Sequence, residues 1–196
     1  IAAGTTYYVW AGKNSDSKGT TAYTGATITG ATTVSGSINY YTVTVNVSPS
    51  GYGTVSKSSL IVLNNQTMTA SSSTLTLSGA SITASVTAAT GYTTTFSKWT
   101  QDSASGTQIS TTAVSITAAK TVYAVFTRSE NKATITIRKD GTACTACNGY
   151  TIHLSTSSSS DTQSFTATST TASTVTFSQI AAGTTYYVWA GKNSDS

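Results

Sequence analysis

The chain has 196 residues, a formal net charge of +4 and only 8% charged residues, while about two residues in five are serine or threonine. Its ten lysines and arginines are scattered along the chain rather than gathered in a basic stripe, which argues against a nucleic-acid partner. No run of about 18 apolar residues is present, so the sequence predicts no membrane span. A surface hydrated by hydroxyl groups suits an extracellular or cell-surface location, and we expect that location.

The two ends of the sequence are identical. Residues 1–17 recur without a change as residues 180–196, an offset of 179 residues. Near-perfect repeats in series are typical of proteins that gain length with each copy. We therefore expect that the sequence is one period of a longer tandem repeat plus the start of the next copy, with identical copies or subunits joined head to tail.

Apolar residues alternate with polar ones in nearly every segment, and no segment keeps a helical apolar spacing for three turns. The residues predicted to face inward, in chain order, are Val43, Val45, Val47, Ile82, Ala84, Val86, Ala88, Val122, Ala124 and Phe126. Glycine-containing turns at 50–53 and 89–91 separate the short runs. The pattern predicts an all-β chain with two small β-sandwich-like modules per repeat.

Domain limits follow from the polar segments between the strands. The segment 127–132 carries three charges and no large apolar residue, so it is predicted to be a linker, and a second limit is predicted near 37–40. Residues 40–128 then form one complete module. Residues 1–39 are interpreted as the C-terminal part of a β-sandwich module of the preceding repeat, and residues 129–196 as the N-terminal part of the next such module.

The module at about 41–126 contains Gly51-Tyr-Gly-Thr-Val55, Phe96-Ser-Lys-Trp99 and a final Ala124-Val-Phe126 strand. In these motifs it resembles the divergent internalin B-repeat family. The resemblance implies a small β-rich module that is repeated in bacterial and archaeal surface proteins.

The second module begins with the alternating strand Ala133-Thr-Ile-Thr-Ile-Arg138, continues with Tyr150-Thr-Ile-His-Leu154 and has Gly183, Tyr186 and Val188 in a later strand. It resembles a prealbumin-like or Cna B-type β-sandwich. Both resemblances imply stalk modules displayed at a cell surface, and neither implies catalysis.

Residues suited to catalysis are too few and too scattered to predict an active site. No serine lies in a G-x-S-x-G turn, and no two carboxylates are close enough in sequence for paired acid–base work. We predict no catalytic residue, no cofactor and no metal site, and therefore that the protein is not an enzyme. The Asn14-Ser-Asp16 segment, repeated at 193–195, is interpreted as a polar turn rather than a calcium loop.

Two pairs of residues are candidates for covalent modification. Cys144 and Cys147 form a C-x-x-C motif, for which a local disulfide is favoured over free thiols and over a metal or redox site, because only His153 could add a further soft ligand. Asn46 and Asn65 each lie in an N-x-S/T motif and are candidate glycosylation sites.

The repeated tetrapeptide Tyr-Tyr-Val-Trp, at 7–10 and at 186–189, places aromatic rings on both faces of a strand. Tyr8 and Trp10 share one face, as Tyr187 and Trp189 do in the second copy. Three interpretations stay open for these rings, namely core, an interface between modules or strands, and a platform that stacks on sugar rings.

The function expected from these observations is that of a structural, non-catalytic repeat unit in an extracellular filament or long cell-surface stalk. Two alternatives stay open. The chain would be either a carbohydrate- or host-binding adhesin repeat, with glycans of the cell wall or surface as partners, or an accessory repeat of a cell-wall enzyme.

Overall fold

The structure of the protein, a computed structural model, describes residues 1–9, 24–31, 33, 39–136, 138–139, 141–143, 150–157, 163–166 and 174–192. These residues form nineteen β-strands and no helix, so the predicted all-β class is confirmed. Contacts divide the chain into unit 1, with residues 1–87 and 95–127, and unit 2, with residues 88–94 and 128–196. The domain limits at 39/40 and 128/129 stay predictions.

Twelve strands begin in unit 1 or have most of their residues there. They are β1 (Thr6–Val9), β2 (Thr24–Thr27), β3 (Tyr40–Ser48), β4 (Gly53–Val55), β5 (Ser59–Leu63), β6 (Gln66–Ser71), β7 (Thr74–Leu77), β8 (Ala80–Val86), β9 (Tyr92–Gln101), β10 (Gln108–Ile109), β11 (Val114–Ile116) and β12 (Lys120–Glu130). Strands β9 and β12 have residues in both units. Strands β1 and β2 form a two-stranded antiparallel sheet of their own.

The other strands of unit 1 form two five-stranded sheets, ordered β10-β9-β12-β3-β5 and β11-β6-β7-β8-β4. One buried cluster draws side chains from both sheets, which is the arrangement of a β-sandwich. The most deeply buried large side chains in this cluster are Trp99, Met68, Leu75, Leu77, Ile82, Ile109 and Ile116.

Strands β3 and β12 lie side by side and run in the same direction. Their register extends from Val43 opposite Lys120 to Ser48 opposite Val125. Parallel neighbours need a long connection between them, and here the intervening strands of both sheets supply it. The strand that opens the sandwich is therefore hydrogen-bonded to the strand that closes it.

Most of the residues predicted to face inward do so. The buried ones are Val43, Val45, Ile82, Ala84, Val122, Ala124 and Phe126. Val47 is half-buried against the same cluster. The prediction is wrong for Val86 and Ala88, which are exposed, because β8 ends at Val86 and the chain leaves the sheet there.

Gly53 lies directly beneath the buried ring of Phe126. A Cβ atom at this position would stand 2.2 Å from the ring carbon Cζ, far closer than non-bonded atoms approach. We expect Gly53→Ala to destabilise the sandwich by about 1–3 kcal/mol, because the ring must move in a packed core. Denaturant unfolding followed by circular dichroism would measure this cost.

Gly30→Ala is the matched control, since a Cβ atom there would have no neighbour within 4 Å. It is expected to change the unfolding free energy by less than about 0.5 kcal/mol. Equal effects of the two substitutions would contradict a steric role for Gly53.

The segment 127–132, predicted as a linker, is strand at every residue except Asn131, and the boundary between the two units falls within it at 127/128. Polar side chains take part in the strand pairing here. The Thr95 and Thr127 hydroxyls lie 2.9 Å apart, and the Arg128 Nε donates a hydrogen bond to the Thr94 hydroxyl at 2.9 Å. A polar segment can thus continue a strand when its side chains form hydrogen bonds with side chains of the neighbouring strand.

The described residues of unit 2 form seven further strands. They are β13 (Lys132–Thr136), β14 (Arg138–Lys139), β15 (Thr142–Ala143), β16 (Tyr150–Ser155), β17 (Gln163–Thr166), β18 (Thr174–Ser178) and β19 (Tyr187–Lys192). They form two antiparallel pairs, β13-β18 and β14-β15, and a three-stranded sheet ordered β17-β16-β19. The buried cluster combines Ile152 and Leu154 of β16 with Val175 and Phe177 of β18.

The turn that leads into β9 belongs to unit 2 through its contacts. The Asn131 N–H donates to the Gly91 carbonyl at 2.9 Å, and the Ile180 N–H donates to the Asn131 carbonyl at 3.2 Å. Gly91 has a φ of 79°, and a Cβ atom there would lie 2.5 Å from the Gln179 carbonyl oxygen. Only glycine fits both the backbone conformation and the space.

Candidate functional site

The largest group of exposed hydrophobic side chains in unit 2 lies on strand β19. Tyr187 is 53% exposed, Val188 48% and Trp189 36%. One edge of β19 pairs with β16 in an antiparallel register that sets Tyr187 opposite Ser155 and Trp189 opposite His153. No described strand pairs with its other edge, which we call the open edge.

Val188 is a residue of the core face that no described strand covers on the side of the open edge. It stands opposite Leu154, so the two side chains share the face that carries the buried cluster. Leu154 is 2% exposed, whereas Val188 is about half exposed. A residue on the core face stays this accessible when its strand has a neighbour on one side only.

Trp189 is held in place by His153. Their ring centroids are 5.1 Å apart and their planes differ by 6°, which is a stacked arrangement. Alternation along β16 predicts that Ile152 and Leu154 point away from His153, and both are buried. Because the imidazole covers one face of the indole, only the opposite face and the edges of Trp189 are accessible to a partner.

Tyr186, the residue before β19, lies on the opposite side of the strand from Tyr187 and packs against the buried cluster of unit 2. Its hydroxyl accepts a hydrogen bond from the Ala181 N–H at 2.9 Å, across a turn in which Gly183 has a φ of 71°. This turn fixes the point at which the chain enters β19.

The first copy of the repeated segment has the same turn. The Ala2 N–H donates to the Tyr7 hydroxyl at 2.8 Å, and Gly4 has a φ of 78°. The strand that follows, β1, pairs with β2 in an antiparallel register from Thr6 opposite Thr27 to Val9 opposite Thr24. Tyr8 lies within β1, whereas Trp10 lies outside the described residues.

The structure therefore brings together two of the four predicted interface aromatics, Tyr187 and Trp189. Sequence reasoning missed Val188 and His153 as members of the site. The alternation places Val188 on the core face, and only the order of the described strands shows that none of them lies beside the open edge. The stack of His153 on Trp189 depends on the register between β16 and β19, which no local pattern specifies.

The candidate glycosylation sites are both exposed. Asn46 lies within β3, and Asn65 occupies a turn with a φ of 65°. The candidate disulfide residues Cys144 and Cys147 lie outside the described residues, as do the polar segments at 14–16 and 193–195.

Unit 1 contains a cleft of about 360 Å³ beside Trp99. Its lining includes the hydroxyl side chains of Ser71, Ser97 and Ser110 and the long side chains of Lys98 and Gln108. The Trp99 Nε1 is buried and has no hydrogen-bond partner.

In the described part of the chain, no group of three or more histidine, cysteine, aspartate or glutamate side chains could hold a metal ion. No helix that could cross a membrane is found among the same residues.

Comparison of the chain with protein-family models, with curated proteins and with solved structures found no match. The internalin B-repeat and prealbumin-like resemblances therefore stay predictions.

Proposed function

We propose that the protein is a structural repeat unit of an extracellular filament or long cell-surface stalk and that it has no catalytic role. The observation that carries this proposal is the unchanged recurrence of residues 1–17 at 180–196. Seventeen identical residues separated by 179 positions are typical of modules copied in series, which extend a chain by a fixed step per copy.

The fold and surface of the described residues support such a role. Each unit has its own buried cluster, so neither needs a ligand to form a core. The chain has only 8% charged residues, so little electrostatic repulsion opposes close contact between neighbouring copies. The exposed side chains of Tyr187 and Trp189 on one face of β19, and of Val188 on the other, are available for such a contact.

Chains with one, two and four periods of 179 residues test the proposal. Small-angle X-ray scattering is expected to show a maximum dimension that grows by a constant increment with each added period. A chain that collapses into a single globule would instead show a radius of gyration that rises only as about the 0.38 power of its length, and this result would contradict the proposal.

A further inference from the structure

The two copies of the repeated segment share one local conformation but have different strand partners. In the first copy, β1 pairs with β2. In the second copy, the identical sequence continues into β19, which pairs with β16. Since a strand has two edges, the two pairings are compatible on one strand if they use opposite edges.

The hydrogen bonds of the first copy show which of its residues face β2. The Ile28 N–H donates to the Thr5 carbonyl at 3.3 Å, and these residues stand opposite each other in the register of the pair. The backbone N–H and C=O groups of successive residues point alternately to the two edges of a strand. The backbone groups of Thr5, Tyr7 and Val9 therefore point to β2. Their counterparts in the second copy are Thr184, Tyr186 and Val188.

We propose that strand β2 of a second copy of this sequence pairs with the open edge of β19. The expected register copies that of β1 with β2, so that Thr185 stands opposite Thr27 and Val188 opposite Thr24 of the second copy. The sheet of unit 2 then has four strands in the order β17-β16-β19-β2, and the added strand covers the exposed side chain of Val188.

This inference deepens the proposed function and rests on it in one respect, because it requires that copies of the sequence follow one another along the chain. It adds the contact by which one copy completes the fold of the preceding copy. The exposed side chain of Val188 then becomes buried at each boundary between copies.

A disulfide test can locate the added strand. Residues 18–39 are appended after Ser196, in a chain that carries Cys144→Ser and Cys147→Ser. Thr185→Cys is combined with Thr27→Cys in the appended segment. In the first copy, the corresponding Thr6 and Thr27 hydroxyl oxygens lie 3.1 Å apart, so these two side chains meet. We expect the disulfide to form under mild oxidation in most molecules, as measured by intact mass and peptide mapping.

The matched control combines Thr185→Cys with Thr24→Cys in the appended segment. Thr24 is three residues from Thr27, about 10 Å along the strand, which is beyond the reach of a disulfide. This pair is expected to stay reduced. Equal cross-linking of the two pairs, or no cross-linking of the first, would overturn the proposed register.

Amide hydrogen exchange tests the same contact without cysteine substitutions. Addition of residues 18–39 is expected to slow exchange of the Tyr186 and Val188 amides by about tenfold or more, because the backbone groups of their counterparts in the first copy, Tyr7 and Val9, face β2. Backbone amides alternate between the two edges, so the amides of Tyr187 and Trp189 point to the other edge. Their exchange rates should change little. Unchanged exchange at Tyr186 and Val188 would overturn the proposal even if the cysteine variants fail to fold.

The disulfide and scattering experiments fail independently. Periods that extend linearly without the Thr185–Thr27 cross-link would disprove the strand pairing and leave the filament proposal standing. If the Thr185–Thr27 disulfide forms but chains of several periods collapse into one globule, the strand pairing stands and the filament proposal is disproved.

Discussion

Replacement of Trp99 by alanine is expected to destabilise the sandwich of unit 1 by about 3–5 kcal/mol. The indole is 1% exposed, and its ring centroid lies 5.6 Å from that of Phe96. Removal of so large a side chain leaves a cavity that the surrounding strands cannot fill without losing their register. Urea unfolding followed by far-UV circular dichroism would measure the change.

Trp99→Phe is the matched control for this prediction. It keeps an aromatic ring and removes an indole N–H that is buried without a hydrogen-bond partner. Loss of an unpaired buried donor is favourable, so the cost of the smaller ring is partly offset and should stay below about 2 kcal/mol. A loss below about 1 kcal/mol for Trp99→Ala would show that the indole is not part of a packed core.

Phe177→Ala is expected to abolish the cooperative unfolding transition of unit 2 while that of unit 1 is retained. Among the described residues, the buried cluster of unit 2 has only four members, against fifteen in unit 1. A loss of about 3–5 kcal/mol therefore removes a large part of a stability that is about 5–15 kcal/mol for an ordinary domain. Differential scanning calorimetry would resolve the two transitions.

Thr176→Ala controls for substitution in the same strand. Thr176 is exposed, and its hydroxyl lies 3.3 Å from that of Thr134 in a contact at the surface. Its loss should cost less than about 1 kcal/mol. If Phe177→Ala removed both transitions together, the separate stability of the two units would be disproved.

The sequence predicts the strands of this protein better than their partners. Alternation correctly places Val43 and Val45 on the buried face of β3, and Val122 and Ala124 on that of β12. It depends only on the side-chain period of two residues, which is local. The parallel pairing of β3 with β12 joins residues about 77 positions apart, and no local pattern determines it.

Two further observations have the same physical origin. The polar segment 127–132 is strand because threonine and arginine side chains find partners across β9 and β12. The sequence also predicts a shared place in the core for the aromatic residues Tyr92, Phe96 and Trp99, but Tyr92 lies outside that cluster, with the Arg128 guanidinium 5.8 Å from its ring centroid. In both cases a contact with the neighbouring strand determines the environment of the residue, which its type alone does not predict.

For the candidate site, the exposed face with Tyr187 and Trp189 follows from the sequence, because alternation leaves aromatic rings on both sides of one strand. The edge that lacks a partner does not follow from it. The strand order within a sheet depends on contacts between distant residues, and only this order shows that, among the described strands, Val188 has a neighbour on one side.

The parallel pairing of β3 and β12 determines how the sandwich would respond to tension. A force that pulls on the segment 40–130 from its two ends draws these neighbouring strands past each other in opposite directions. The six register pairs from Val43–Lys120 to Ser48–Val125 are then loaded in shear and share the force. Strands joined by a hairpin would peel apart one hydrogen bond at a time. The chain order of this sandwich thus suits a link that must carry load along its length.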